Sequence, residues 1–441
     1  MMPLWFADLL PFQRDPLAFL LERGHNATEP LVRLALGPRR IWLVTDANIV
    51  KPILKASEDH IDKGYFIHKL RLIFGHSSLT MSGDEHRRRR EALHATFARG
   101  TAQQFIPQMS AIIREMASTL VKDGVFVAHE VTAPLTLRLI CMAMFGKDVL
   151  SPGDENAIVH AVKLVEDDLA NELFRVLPRT PWGARTWQER RAEARSILEF
   201  VVRRVRDRAS SDSAVGALTA LGLSDEDIRD EIITMLLAGH HTTGSAAAWV
   251  LYYLAIVEGL ADEIAKEAAA ITEDNGELQS EALPRAERSQ ALVREVLRLF
   301  PSAHWFSRDA KIDQTIGGVK VKRGDSIIIS PWQLHRDPRW WPEPNEFYLD
   351  RSYGGRAYLP FGVGPRACLG MGLAMLELQL LALEFAAAFS ISICGEVPKP
   401  KPLPSVTLIP PAMRIELQVR GTDRVDHYRT ITGPEKMRAS A

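Results

Sequence analysis

Cysteine is nearly absent: three residues, Cys141, Cys368 and Cys394, in a chain of 441. So sparse and odd a set builds no disulfide framework and points to a reducing cytoplasm. Neither sign of charge is in excess. Lysine and arginine number 54 against 55 aspartates and glutamates, so a net charge of -1 offers no global field for nucleic acid or an anionic membrane. The first residues contain neither a basic leader nor an apolar run approaching ~18 residues, and no signal peptide or transmembrane anchor is expected. Leu4, Trp5, Phe6, Leu9 and Leu10 read instead as part of a short arm, about residues 1–12, packed on the body. No internal repeat and no linker divides the chain, which predicts a single domain over residues 1–441 with a polar tail over residues 421–441.

What is there is core material. Hydrophobic residues make up 46% and charged residues 25%, the balance of a globular protein with a large interior. Leu31–Leu36 and Ile41–Val44 flank Gly37-Pro38 as a hairpin would. From Asp84 to about Arg308 helical periodicity dominates, with breaks at Pro107, Pro134, Pro152, Pro178, Pro181 and Ser210–Ser213. Ser224 reads as the N-cap of the longest helix, to about Val257, whose middle from Met235 to Trp249 is apolar or small on all sides and so belongs in the interior. A further helix is expected from about Pro284 to Leu299, strands at Val319–Val321 and Ser326–Ile329, and a last helix from Cys368 to about Phe389. The fold class is mainly α with small β-sheets. Cys141 and Cys394 sit in apolar surroundings and read as small buried hydrophobes.

Cys368 differs. Phe361-Gly-Val-Gly-Pro-Arg-Ala-Cys-Leu-Gly370 puts glycines and Arg366 just ahead of a cysteine that opens a helix. The glycines allow a tight turn close to a flat ligand, and amide donors at the helix start lower a thiol's pKa for metal ligation. Phe361, Gly364, Arg366, Cys368 and Gly370 match the haem-binding signature of the cytochrome P450 family, which this chain resembles. Other resemblances follow in the family's order. Glu295 and Arg298, one turn apart on a helix, look like its Glu-x-x-Arg pair. Phe347-Tyr-Leu-Asp-Arg351 supplies the expected third partner, Arg351, although the usual proline of that stretch is Leu349 here. His335-Arg336-Asp337-Pro338 resembles the motif that leads into this loop. In Gly83–Arg90, His86 and Arg90 share a helix face and are similar to haem-propionate contacts, as is Arg308, while Arg87, Arg88 and Arg89 would form a basic surface for an electron donor. Ala238-Gly-His-His-Thr-Thr243 resembles the oxygen-binding motif, where the helix opens over the iron. Ala238 and Gly239 would approach the haem, and Thr242 would bond the bound oxygen. His241 stands where most members carry an acid; an imidazole can also deliver protons near neutral pH.

The resemblance implies a haem b with Cys368 as thiolate ligand, O2 as co-substrate, and a monooxygenase that inserts one oxygen atom into a substrate. With no flavin or iron–sulfur segment in view, it implies a separate ferredoxin or flavodoxin-type donor with its reductase, and a monomeric cytoplasmic enzyme. The pocket would draw on Phe66, Ile67 and Leu70, on Met235, on Ala303, His304 and Trp305, and on Val406 to Leu408. Their apolar character favours a lipophilic small molecule such as a terpenoid, sterol or fatty acid. The same fold also serves a peroxygenase, an isomerase or dehydratase, or a haem sensor without turnover. Peroxide-only activity, turnover without reductant, and gas binding without turnover would distinguish these three.

Overall fold

A computed structural model describes residues 4–97, 102–146, 150–173, 181–396 and 401–420. The tail over residues 421–441 and Pro178 lie outside the described residues. Six helices position the site: α1 (Gly64–Phe74), α2 (Gly83–Phe97), α3 (Ala128–Phe145), α4 (Asp225–Ile256), α5 (Glu287–Leu299) and α6 (Met371–Ala388). The central helix α4 starts where its sequence directs. Ser224 caps it by accepting the Asp227 amide at 3.1 Å, and three acids occupy its positive end. Its apolar body then packs along α3 and crosses α6 in the largest core.

Most of the predicted proline breaks stand at helix starts: Pro107, Pro152 and Pro181 lie in the first turns of Ile106–Asp123, Pro152–Leu173 and Pro181–Arg208. Pro134 does not break anything. It lies inside α3, the carbonyl it leaves unserved belongs to exposed Glu130, and contact with α4 holds the helix together around it. Thr132 and Thr136 on either side donate to the Gly244 and His240 carbonyls of α4 at 2.7 and 3.1 Å. The helix expected from Pro284 begins at Glu287 instead, because Ser280–Arg285 winds as a tighter 3-10 turn.

The N-terminal hairpin, β1 (Leu31–Leu34) with β2 (Ile41–Val44), pairs antiparallel from Leu31–Val44 to Leu34–Ile41. It forms one side of a five-stranded sheet that continues with β8 (Ser326–Ile329), β5 (Phe306–Ala310) and β3 (Ile61–Asp62). A second sheet, of β4 (Val125–Val127), β12 (Arg414–Val419) and β9 (Phe389–Ile393), closes the far end of the core, and two further pairs are β6 (Gln314–Ile316) with β7 (Val319–Val321) and β10 (Leu403–Pro404) with β11 (Leu408–Ile409). Cys141 is buried, but Cys394 is exposed: it continues the alternation of the strand Phe-Ser-Ile-Ser-Ile on the solvent side with Ser390 and Ser392, its amide still bonded to the Arg414 carbonyl at 2.9 Å. The N-terminal arm lies on the first sheet through reciprocal bonds of Asp8 with Ala35, and Phe12 is buried against Phe19. Among the described residues one helix, α6, is long and apolar enough to cross a membrane, and most of it is buried inside the protein.

Candidate active site

The cysteine loop is shaped by backbone. Gly362 and Gly364 take positive φ values of 64° and 81°, and a Cβ on Gly364 would come within 2.8 Å of the Leu54 carbonyl, so only glycine fits there. The Cys368 amide donates back to the Phe361 carbonyl at 2.9 Å, and Gly370 caps α6, which begins at Met371 rather than at the cysteine. Arg90 donates to the Ala367 carbonyl at 2.6 Å, tying α2 to the loop beside the sulfur. The thiol is accessible, yet it is surrounded deeply enough that burial pushes its pKa up, against the Gly370 amide and Arg90 that pull it down. The lowered pKa expected from the sequence is therefore corrected: in the protein alone, desolvation outweighs the amide and the guanidinium.

Next to it is a buried excess of positive charge. Arg366, Lys63 and Arg90 lie about His86, Arg308 stands by Lys63 and Arg366, and the carboxylates among these cations are Asp62 and Glu58. Desolvation, reinforced by Arg366, brings the Arg308 guanidinium down to about 10; its Nη1 donates only to its own Ser307 carbonyl, at 2.8 Å. His86 falls to about 3, through burial first and then Arg366, Lys63, Arg90 and Arg87, and its Nδ1 is buried with no hydrogen-bond partner. Arg366 donates to Glu58 and to the Met81 carbonyl, so part of its fork is already used. Lys63, whose ammonium burial holds well below its ordinary value, escaped the sequence reading; a lone lysine between Asp62 and Gly64 carries no spacing signal. Arg89 corrects the reading of a basic face. It is fully buried and bonded to Glu85, to Asp227 at 2.8 Å and to Glu231 at 3.3 Å, which leaves exposed Arg87 and Arg88 on the surface. Helical periodicity turns the third arginine of the run inward.

On α4, Ala238 is exposed and Gly239 half-exposed in the middle of an otherwise buried helix. The helix runs through this point without the opening expected from the resemblance. Gly239 answers to packing: a Cβ there would stand 1.7 Å from the Ile140 Cδ1 of α3. The Thr242 hydroxyl donates to the Ala238 carbonyl at 2.6 Å, and its own carbonyl accepts from Ser302 at 2.8 Å. His240 is buried with Nδ1 at 2.7 Å from the Ala133 carbonyl, whereas the His241 Nδ1 lies 2.6 Å from the Thr407 hydroxyl. Of the residues expected to line a pocket, Ala303 is exposed and Ile67, Leu70 and Val406 are half-buried. Phe66, Met235, His304 and Leu408 are buried, and Phe66 meets half-buried Trp305 with ring centroids 5.4 Å apart. Apolar residues suit a core as well as a pocket.

Behind the loop, Glu295 and Arg298 form a fully buried pair with Oε1 and Oε2 at 2.7 and 2.8 Å from the guanidinium. Arg351 adds a third bond to Glu295 at 3.0 Å, and the Tyr348 amide and Tyr353 hydroxyl complete the carboxylate. Both arginines also donate to carbonyls of the loop over residues 335–346, which this network holds in place.

An iron porphyrin carrying two carboxylates suits these residues: an accessible thiol, buried cations with too few anions, and an orphaned imidazole nitrogen at one place. Comparisons with known proteins agree. The family model for cytochrome P450 matches residues 2–417. Cyclooctatin synthase of Streptomyces melanosporofaciens is 29% identical over 90% of each chain. Cyclooctat-9-en-7-ol 5-monooxygenase of the same organism is 28% identical over 90% of this chain and 87% of its own. Among solved structures, a mutant cytochrome P450DA heme domain superposes with a TM-score of 0.81 at 22% identity, covering 93% of this chain and 95% of that one. With a match that runs from the N-terminal arm through the cysteine loop to the last strand, this chain belongs to the cytochrome P450 family and is an enzyme of its monooxygenase type.

Proposed function

We propose that this protein is a haem-thiolate monooxygenase for a lipophilic small molecule, supplied with electrons by a separate ferredoxin or flavodoxin-type donor. The observation that carries this reading is Cys368, an accessible thiol deep in the protein, next to Arg90 and the start of α6. Cys368 would hold the iron. His86, Arg308, Arg366 and Lys63 would receive the propionates, with Arg90 bracing the loop. When bound, the haem supplies the oxygen-activating chemistry, and strong donation from the thiolate favours it.

The remaining work belongs to the chain. Thr242 keeps its hydroxyl proton on the Ala238 carbonyl, at the point where α4 has accessible surface, and its oxygen would remain free to accept a hydrogen bond from a group bound there. Ala238, Ala303, Ile67, Leu70 and Val406 would orient a substrate by apolar contact and exclude water. A relative named for oxygenating a cyclic alkenol favours an alicyclic substrate over a linear fatty acid. Exposed Arg87 and Arg88 would attract an acidic donor. The test is spectroscopic. The reduced, haem-loaded protein should show the thiolate-type carbon monoxide difference band, and Cys368→His should lose it while remaining folded. A wild-type protein that holds haem without that band would end the proposal.

A further inference from the structure

The β10–β11 pair carries its turn, Ser405 to Thr407, against the central helix. Three hydrogen bonds close a ring there. The Thr407 hydroxyl meets the His241 Nδ1 at 2.6 Å. The Leu408 amide donates to the Ser302 carbonyl at 3.1 Å, and the Ser302 hydroxyl donates to the Thr242 carbonyl at 2.8 Å. Because Thr407 and Leu408 are neighbours in the chain, as are His241 and Thr242, the circuit joins three separate segments through one residue or residue pair from each. Thr407, Leu408 and Ser302 are all buried, so water competes poorly for these bonds. The His129 ring stands edge-on to His241 with centroids 5.7 Å apart and limits where that imidazole can turn.

We propose that His241 and Thr407 act as a latch that sets the position of the Ser405–Thr407 turn, and with it the Val406 wall, relative to Thr242. The pair is a positioning device that determines which ligand shapes fit, and His241 acts through Thr407 rather than on the substrate. The role rests on the monooxygenase reading for its meaning, since the wall matters only if a ligand lies between Val406 and Ala238. The latch itself is a property of the chain. It explains why an imidazole stands at this position: its Nδ1 reaches across to a hydroxyl on another segment, while Thr242 beside it keeps its own bond to the helix.

The experiment uses the haem-loaded protein with Thr407→Val, Thr407→Ser, His241→Ala and the His241→Ala/Thr407→Val double variant. Amide hydrogen exchange over residues 403–409 is one readout, and Soret titration with imidazole and with 4-phenylimidazole is the other. Loss of one hydrogen bond corresponds to about three- to tenfold, so Thr407→Val should raise exchange at Leu408 by that factor and shift the ratio of the two affinities by a similar one. Thr407→Ser should restore both, and the double variant should be no worse than either single one. Unchanged exchange in Thr407→Val overturns the latch, as does a His241→Ala effect that adds fully to that of Thr407→Val. Hydrogen exchange reads the latch even if the carbon monoxide band fails to appear, so the two proposals fail separately.

Discussion

Glu295 is the residue on which most of the scaffold depends. Both carboxylate oxygens are spoken for by Arg298, Arg351, Tyr348 and Tyr353, and none of the pair's atoms reaches solvent. Removing one charge from a buried, hydrogen-bonded set leaves the cations uncompensated, at a cost of about 3–5 kcal/mol. Glu295→Gln should therefore lower the denaturant midpoint by a large fraction of total stability, whereas Tyr353→Phe, which loses one neutral donor, should cost about 1 kcal/mol. Equal effects from the two would mean that the charge is unimportant. Arg351 shows how such a residue can be read despite a local departure. Leu349 replaces the usual proline, but the arginine is placed by the carbonyls of Pro342, Glu343 and Glu346, and Leu349 simply packs against the main core. Thr407 and Lys63 had no such signature, because their partners, His241 and the carbonyls of Ser78 and Leu79, come from elsewhere in the chain.

At the scale of elements, the contact between α3 and α4 explains two residues that look costly in sequence. Pro134 is tolerated inside a helix, and Gly239 is required inside another. Gly239→Ala would push a Cβ to 1.7 Å from the Ile140 Cδ1, and overpacking of this kind costs about 1–3 kcal/mol. Ile140→Val removes that atom, so the double variant should regain much of the loss in thermal melts; no recovery would place the glycine's role elsewhere. Helix α4 was legible in advance because its cap, acidic first turn and apolar body all agree. The strands β4, β9 and β12 were not. With three to six residues each they have too little periodicity to register, and only their mutual pairing defines them.

Over the whole molecule, folding fixes several imidazoles in the neutral form. His335 is buried with Nδ1 at 2.9 Å from the Arg298 carbonyl and Nε2 accepting the Leu359 amide at 2.8 Å, an arrangement that requires one neutral tautomer. Burial takes His335, His304 and His86 each from 6.5 down to about 3. An unfolded chain binds those protons near pH 6.5 and the folded one does not, so this contribution is complete above that pH and is lost as pH falls from there toward 3. Urea midpoints should decline steadily between about pH 6.5 and pH 5; a flat profile over that range would show that the imidazoles are not held neutral.

The sequence by itself determined the family, the mainly helical class, the central helix with its cap, and the cysteine that opens the site. These rest on local features: a φ that only glycine adopts readily, a cap spacing, and charges one turn apart. Tertiary structure alone decided which charges and polar groups meet across the chain. It turned Arg89 inward and Cys394 outward, collected Lys63 with Arg308 and Arg366, raised rather than lowered the Cys368 pKa, and gave His241 to Thr407. Burial and long-range hydrogen bonding set those outcomes, and both depend on which segments pack together.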